Sequence, residues 1–335
     1  EGSYVRNSTF DMIGIISYFN DGFLFTNNSI LNSYIYYDLF VSGNNSLIKG
    51  NTFANGTLGI RIDKGSHNNV INNTFKDYYQ KNDISWNGRG VISFDFGNNN
   101  TLSNNLFDNI TVHALSLVTS KDNTISYNLF NDTGIFWHSV MDYSGERNNY
   151  NNNTFDKCGS QQPYWGHSCM MIVYNWGLSW DDRYGGEHLF ENNQFFDFQI
   201  GINIESFQNN NTVRNNSFNN GWNAIGLWGW PEGGTASSGN LIANNKINNT
   251  DYPIALDFEK ANYPGIDNMI VSNIMTNTAG RAISVWGCYQ NFTIKDNYVD
   301  NASVGIWIFD NTFGDISNGI VTNNILKNIT YNGIS

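Results

Sequence analysis

Charge is scarce in this chain. Only 14% of its 335 residues are Asp, Glu, Lys or Arg, and the 29 acids against 17 bases give a formal net charge of -12. That shortage of cations argues against a nucleic-acid partner and disfavours attraction to anionic membranes or polyanionic glycans. Long apolar runs are also missing. Cys169 to Tyr174 is among the longest, far too short to cross a membrane. No window carries an apolar helical stripe of useful length. The three cysteines fit no metal-ligand spacing. Cys158 and Cys169 share one long stretch and are disulfide candidates, which leaves Cys288 outside the pair; three reduced thiols are the alternative. His67, His113, His138, His167 and His188 form no short ligand motif, so no metal site and no cofactor is expected, with calcium at Asp181 and Asp182 a weaker option. The first residues, Glu1-Gly2-Ser3-Tyr4, are neither an initiator methionine nor a signal peptide, and read as mature or excised material.

What the chain does have is a repeat. Asn72-Asn73-Thr74-Phe75 returns as Asn104-Asn105-Leu106-Phe107, Asn152-Asn153-Thr154-Phe155, Asn192-Asn193-Gln194-Phe195 and Asn215-Asn216-Ser217-Phe218, with weaker copies between and beyond. The second position falls at 28, 51, 73, 105, 128, 153, 193, 216, 245, 273, 297 and 324, most often 22 to 25 residues apart. A period in that range is the mark of a solenoid. Each repeat carries three short apolar pieces: a first (Asn51-Thr52-Phe53), a middle (Gly59-Ile60-Arg61-Ile62-Asp63) and a third (Asn69-Val70-Ile71). Apolar and polar residues alternate within them, the period of a half-buried strand.

Three strands per coil predict an all-β parallel β-helix of about twelve coils, each completing its core against the coils above and below. With strands ~4.8 Å apart, such a solenoid is on the order of 55–60 Å long. The anchor asparagine suits a sharp bend, because Asn tolerates left-handed backbone, and its amide can bond the Asn of the next coil in a ladder. One domain over 1–335 is expected, with loop insertions near 76–90, 156–190, 228–240 and 257–267. The first insertion carries Tyr78, Tyr79 and Trp86. The last residues of the chain, Tyr331-Asn332-Gly333-Ile334-Ser335, lie within a strand pattern, which predicts a segment of a longer chain or end-to-end self-association.

On its Asn-Asn-x-Phe and Gly-Ile-x-Ile repeats the chain resembles the right-handed parallel β-helix repeat proteins, a group that includes pectate lyases and archaeal and bacterial surface proteins. The resemblance implies the fold over essentially the whole chain and leaves activity open, since the group spans lyases, hydrolases, tailspikes, adhesins and non-catalytic modules. The β-helix polygalacturonases carry Asn-x-Asp, Asp-Asp, Gly-His-Gly and Arg-x-Lys in that order. Only Asp181-Asp182 is similar to one of these, and Gly166-His167-Ser168 precedes it. Lyases of this fold use Arg or Lys as base; Arg61 is the clearest cation here and is remote from the acid-rich insertion.

Aligning the middle strands brings Asp63, Asp95, Val118, Asp142, Glu205, Trp228, Asp257, Trp286 and Phe309 to one edge position. Carboxylates accept sugar hydroxyls and indoles cover pyranose faces, so Trp228, Asp257 and Trp286 are candidate carbohydrate-binding residues, walled by Trp165, Trp176, Trp180 and Trp230 on the loops. If the chain is an enzyme, Asp142, Asp181, Asp182 and Glu205 are the candidate carboxylates of a glycoside hydrolase, less readily of a lyase. About fifteen Asn-x-Ser/Thr sequons occur. Asn55, Asn109, Asn131, Asn301 and Asn328 fall after the anchor and are the glycosylation candidates. The reading that results is an extracellular, N-glycosylated surface β-helix with a structural or adhesive role, its partners a carbohydrate or neighbouring surface-protein subunits. A polysaccharide-active enzyme is the alternative.

Overall fold

The structure is a computed structural model. It describes residues 3–12, 14–17, 20–33, 37–79, 90–135, 138–159, 167–173, 185–205, 207–228, 236–258, 264–310 and 316–335. These form two compact units, Glu1–Cys169 and Met170–Ser335. Each is an all-β right-handed parallel solenoid, with no helix among the described residues. In the first unit the third strands Leu47–Lys49, Asn69–Ile71, Thr101–Ser103 and Thr124–Ser126 pair in chain order, all parallel. The first strands (Thr52–Ala54, Thr74–Tyr78, Leu106–Ile110) and middle strands (Ile60–Asp63, Ile92–Asp95, Leu115–Val118) do the same. In the second unit the first and middle pieces run on as one strand: Gln194–Ile204, Ser217–Trp228, Lys246–Phe258, Ile274–Gly287 and Tyr298–Phe309.

The Phe of the repeat points inward and stacks on its copies. Phe53, Phe75, Phe107, Phe130 and Phe155 follow one another at 4.9, 5.0, 4.8 and 4.7 Å between ring centroids, within 12° of parallel. Phe195 and Phe218 repeat the contact at 4.5 Å in the second unit. Ring spacing here is set by strand spacing, so the aromatic column and the backbone ladder enforce the same register.

The two asparagines of the repeat divide the work assigned above to one. The first takes the left-handed bend: Asn27, Asn72, Asn104, Asn152, Asn192 and Asn215 have φ between 54° and 58°. The second is buried and builds the ladder. Side-chain amides link Asn28, Asn51, Asn73, Asn105, Asn128 and Asn153 at 3.2, 2.9, 3.1, 3.0 and 3.0 Å. Asn193, Asn216, Asn245, Asn273, Asn297 and Asn324 do so at 2.9–3.0 Å in the second unit. Each Oδ1 also accepts the backbone N–H of the preceding anchor, as from Asn73 to Asn105 at 2.9 Å. A second buried ladder, not foreseen from sequence, opens the third strands: Asn68, Asn100, Asn123 and Asn148, then Asn211, Asn240 and Asn268.

Two boundaries move. Tyr78 is the fully buried end of a first strand and donates to the Asp38 carboxylate, so it belongs to the core and not to the 76–90 loop. The 156–190 stretch contains a regular middle strand, Ser168–Val173, buried throughout. Cys158 and Cys169 form a disulfide across it, with Cα atoms 5.2 Å apart.

Replacing Asn105 by Ala removes the acceptor of Asn73 N–H and strands the Val70 carbonyl it serves at 2.9 Å. Urea denaturation is expected to show a loss of ~1–3 kcal/mol, while Ala at the exposed Asn69 leaves stability unchanged. Tyr127 occupies the left-handed bend at φ 57° with its ring 61% exposed. Tyr127→Asn is expected to stabilise by about 1 kcal/mol, because Asn accepts that conformation and Tyr does not; no gain would count against the bend as the reason for the first Asn.

Candidate functional site

The outer surface of the second unit's middle strands carries the candidate site. Ile225 and Leu227, Ile254 and Leu256, and Ile283 and Val285 face the core. Alternation therefore turns the residues between and after them outward. Register pairs Trp228 with Asp257, Asp257 with Trp286, and Trp286 with Phe309, so these four form one column. Beside it runs a column of small residues, Gly226, Ala255 and Ser284, ending on Trp307. Although they face outward, Gly226, Ala255 and Ser284 are buried, because taller neighbours shade them. Tyr252 and Arg281 come just before these middle pieces, where the register shifts and strict alternation is interrupted; Tyr252 reaches Trp222, and Arg281 reaches Trp307 at the end of the small column. The result is a trough with a narrow floor and aromatic walls.

Its walls are packed against one another. Trp222 meets Trp228 and Tyr252 edge to face, at 5.8 and 5.7 Å. Trp307 and Phe309 stack at 5.0 Å and 3°. The Arg281 guanidinium carbon lies over the Trp307 ring, 3.5 Å from its centroid, a cation–π contact. Half-buried rings fixed in this way offer flat apolar faces at low entropic cost. Sequence alignment of the middle strands found Trp228, Asp257 and Trp286; it missed Tyr252, Arg281 and the Trp307 platform, whose signal is the small-residue column beside them.

Glu205 follows Ile204, which pairs with Leu227, and so stands level with Trp228; it is 4% exposed and its backbone is bonded to Ile172 and Ser237. In the first unit the edge column reads Asp63, Asp95, Val118 and Tyr143. Asp142 is displaced from it. Asp142 pairs with the inward Leu117, and a one-residue step turns a side chain to the other face. Its buried carboxylate accepts from Tyr150 Oη at 2.6 Å and Asn148 Nδ2 at 2.9 Å, inside the core. Asp63 and Asp95 are held by Arg61, at 2.9 Å each, and Arg61 lies between them and the Tyr37 and Phe40 rings. Trp165, Trp176, Trp180, Trp230, Asp181 and Asp182 lie outside the described residues.

The sequon asparagines have a structural task. Asn55, Asn109, Asn301 and Asn328 take left-handed backbone. Asn55, Asn131, Asn301 and Asn328 each donate one Nδ2 hydrogen to the coil before, at 2.7–3.2 Å, which leaves a second hydrogen for substitution. Asn109 uses Nδ2 twice, toward Asp77 at 2.7 Å and Tyr79 at 2.6 Å.

Among the described residues no group of three His, Cys, Asp or Glu converges as a metal site, and no helix is long and apolar enough to cross a membrane. His113 and His138 stack with ring centroids 5.9 Å apart, and His138 lies 6.3 Å from His167. Burial pushes the His113 imidazole down to about 4, and burial with its histidine neighbours pushes His138 well below its ordinary value. Burial raises the Asp38 carboxyl to about 7 despite its bond from Tyr78.

Residues 13–177 and 174–335 each match the family described as right handed beta helix region, and the chain belongs to that family. A comparison with curated protein sequences returned no match. Among solved structures it is similar to PfbA, a surface adhesin of Streptococcus pneumoniae, at 16% identity and a TM-score of 0.69, over all of this chain and 86% of that one. It is also similar to a hyperthermoactive exopolygalacturonase from Thermotoga maritima, at 12% identity and a TM-score of 0.66, over 90% and 84%. The PL6 family alginate lyase AlyGC is similar at 13% identity and a TM-score of 0.64, over 99% of this chain and 50% of the lyase. Surface adhesins and polysaccharide-active enzymes thus share this fold.

The buried histidines predict an acid-sensitive first unit. The unfolded chain takes up a proton at each near 6.5, whereas folded His113 resists down to about 4, so the unfolded state binds more protons and stability falls as pH drops through that window. Asp38 acts oppositely: folded, it keeps its proton from 3.8 up to about 7, and loses stability as pH rises. His113→Asn is expected to reduce the acid-side slope of unfolding free energy by ~1 kcal/mol per pH unit between pH 6 and 4.5. Asp38→Asn is expected to steepen it. Denaturant titrations at several pH values decide; an unchanged slope in His113→Asn would mean that this ring titrates normally.

Proposed function

We propose that the chain is an extracellular surface protein, structural and adhesive in role, whose second unit contacts glycans along the trough of Trp228, Asp257, Trp286 and Trp307. The observation that carries this reading is the in-register column of indoles and a carboxylate beside a floor of small residues. Neighbouring coils sit ~4.8 Å apart, so Trp228 and Trp286, two coils apart, are separated by ~10 Å, enough to stack two sugars of one chain while Asp257 accepts hydroxyls between them. The similar adhesin supports a binding role, and the disulfide suits an oxidising compartment. Burial of Asp142 removes one of the carboxylates on which a hydrolase reading depends.

Titration of intrinsic fluorescence against an oligosaccharide panel tests the proposal. Saturable binding is expected, weakened about tenfold for each of Trp228→Ala and Trp286→Ala, with melting temperature unchanged. Reducing-end release or unsaturated-product absorbance on the corresponding polysaccharides is expected to stay at background. Turnover lost on Glu205→Gln or Asp182→Asn would establish the enzyme instead.

A further inference from the structure

The trough contains hydrogen-bonding atoms with nothing to bond. The Trp228 and Trp286 indole Nε1 atoms and the Asn223 and Asn203 side-chain Oδ1 atoms are all buried without a hydrogen-bond partner. Asn203 pairs in register with Gly226, and Asn223 lies three residues before it on the same strand. Orphaned buried polar atoms are costly and uncommon, and four on one face call for a cause. Two of them converge. A Cβ placed on Gly226 would stand 2.9 Å from Trp228 Nε1 and 3.1 Å from Asn223 Oδ1, so the two atoms are no more than about 6 Å apart, within reach of one bridging oxygen. Asn223 is 1% exposed, and its Nδ2 donates to the Tyr252 carbonyl at 2.8 Å, which fixes the direction in which Oδ1 points.

We infer that Trp228 Nε1 and Asn223 Oδ1, set over Gly226, form a subsite for a sugar hydroxyl, and that with the Asp257 carboxylate beside it the trough selects uncharged sugars over uronates; the inference rests on the trough being the glycan-binding face. A hydroxyl is both donor and acceptor. It accepts the indole N–H and gives its own proton to the Asn223 carbonyl, satisfying both orphans at once. A carboxylate can only accept: it answers the indole but turns its lone pairs on Asn223 Oδ1. An ammonium can only donate, and leaves the indole unanswered. Asp257 in the adjoining column and the net charge of -12 act against an anion in the same sense. The half-buried Trp228 ring lies with its Nε1 over Gly226.

The test is calorimetric titration of the whole chain with neutral hexose tetrasaccharides and with uronate tetrasaccharides of equal length. Neutral sugars are expected to bind at least tenfold more tightly. Trp228→Phe, which keeps an aromatic face and deletes the N–H, is expected to weaken neutral binding roughly 3- to 15-fold at unchanged melting temperature. Gly226→Ala, whose methyl crowds both polar atoms, is expected to do the same. Preference for uronates, or unchanged affinity in Trp228→Phe, would overturn the subsite and leave the trough standing. So would a Trp228→Phe chain that melts earlier and binds equally well, since the N–H would then serve the fold. Binding of neither class would overturn the trough itself.

Discussion

The asparagine side chain bonded to its own copy on the next coil is the interaction on which the rest of this structure depends. A parallel solenoid meets a recurrent difficulty at each corner, where the backbone leaves one strand before it enters the next and its N–H groups turn away from ladder partners. A buried Asn answers it on both sides. Its Oδ1 takes the corner N–H of the coil before, as Asn128 does for Asn105 at 3.0 Å, and its Nδ2 returns to a carbonyl of that coil, as Asn128 does to Leu102 at 2.9 Å. The cycle closes only when successive corners are in register. Any slip of one coil would break several bonds in a dry environment, where each costs more than in water.

Register fixed in this way is what makes a surface of single residues into a site. Trp228, Asp257 and Trp286 are 29 residues apart in steps, and nothing local brings them together. The ladders at Asn216, Asn245 and Asn273 do, by setting every strand of the second unit in phase. The first unit uses the same frame differently. Its edge acids are tied down by Arg61, and two carboxylates are taken into the core with tyrosine partners, Asp38 with Tyr78 and Asp142 with Tyr150. The same coil pattern thus carries a face neutralised from within in one unit and a face of indoles in the other.

The repeat made the fold legible, because its period and the alternation inside each piece admit one architecture. Finer assignments failed where one residue decides the outcome. Val140-Met141-Asp142-Tyr143 can be aligned with Asp142 or Tyr143 at the edge, and only the pairing of Leu117 with Asp142 resolves it. The signal lay at a distance: Tyr150 stands where Ile125 stands one coil earlier, a polar tip placed to meet a buried acid. The division between a bending first Asn and a bonding second Asn was hidden because both residues recur together. At the site, the aromatic column could be read by counting from Ile-x-Ile, but the trough depends on small residues between the columns, and Gly226, Ala255 and Ser284 look unremarkable in sequence.

The position of a bound sugar decides whether the trough is the binding face. A crystal structure of the chain with a neutral tetrasaccharide should place successive pyranose rings against Trp228 and Trp286, along the coil axis, with a hydroxyl over Gly226 between the Trp228 Nε1 and Asn223 Oδ1 atoms. Sugar density on another face, or an empty trough at saturating ligand, would contradict it.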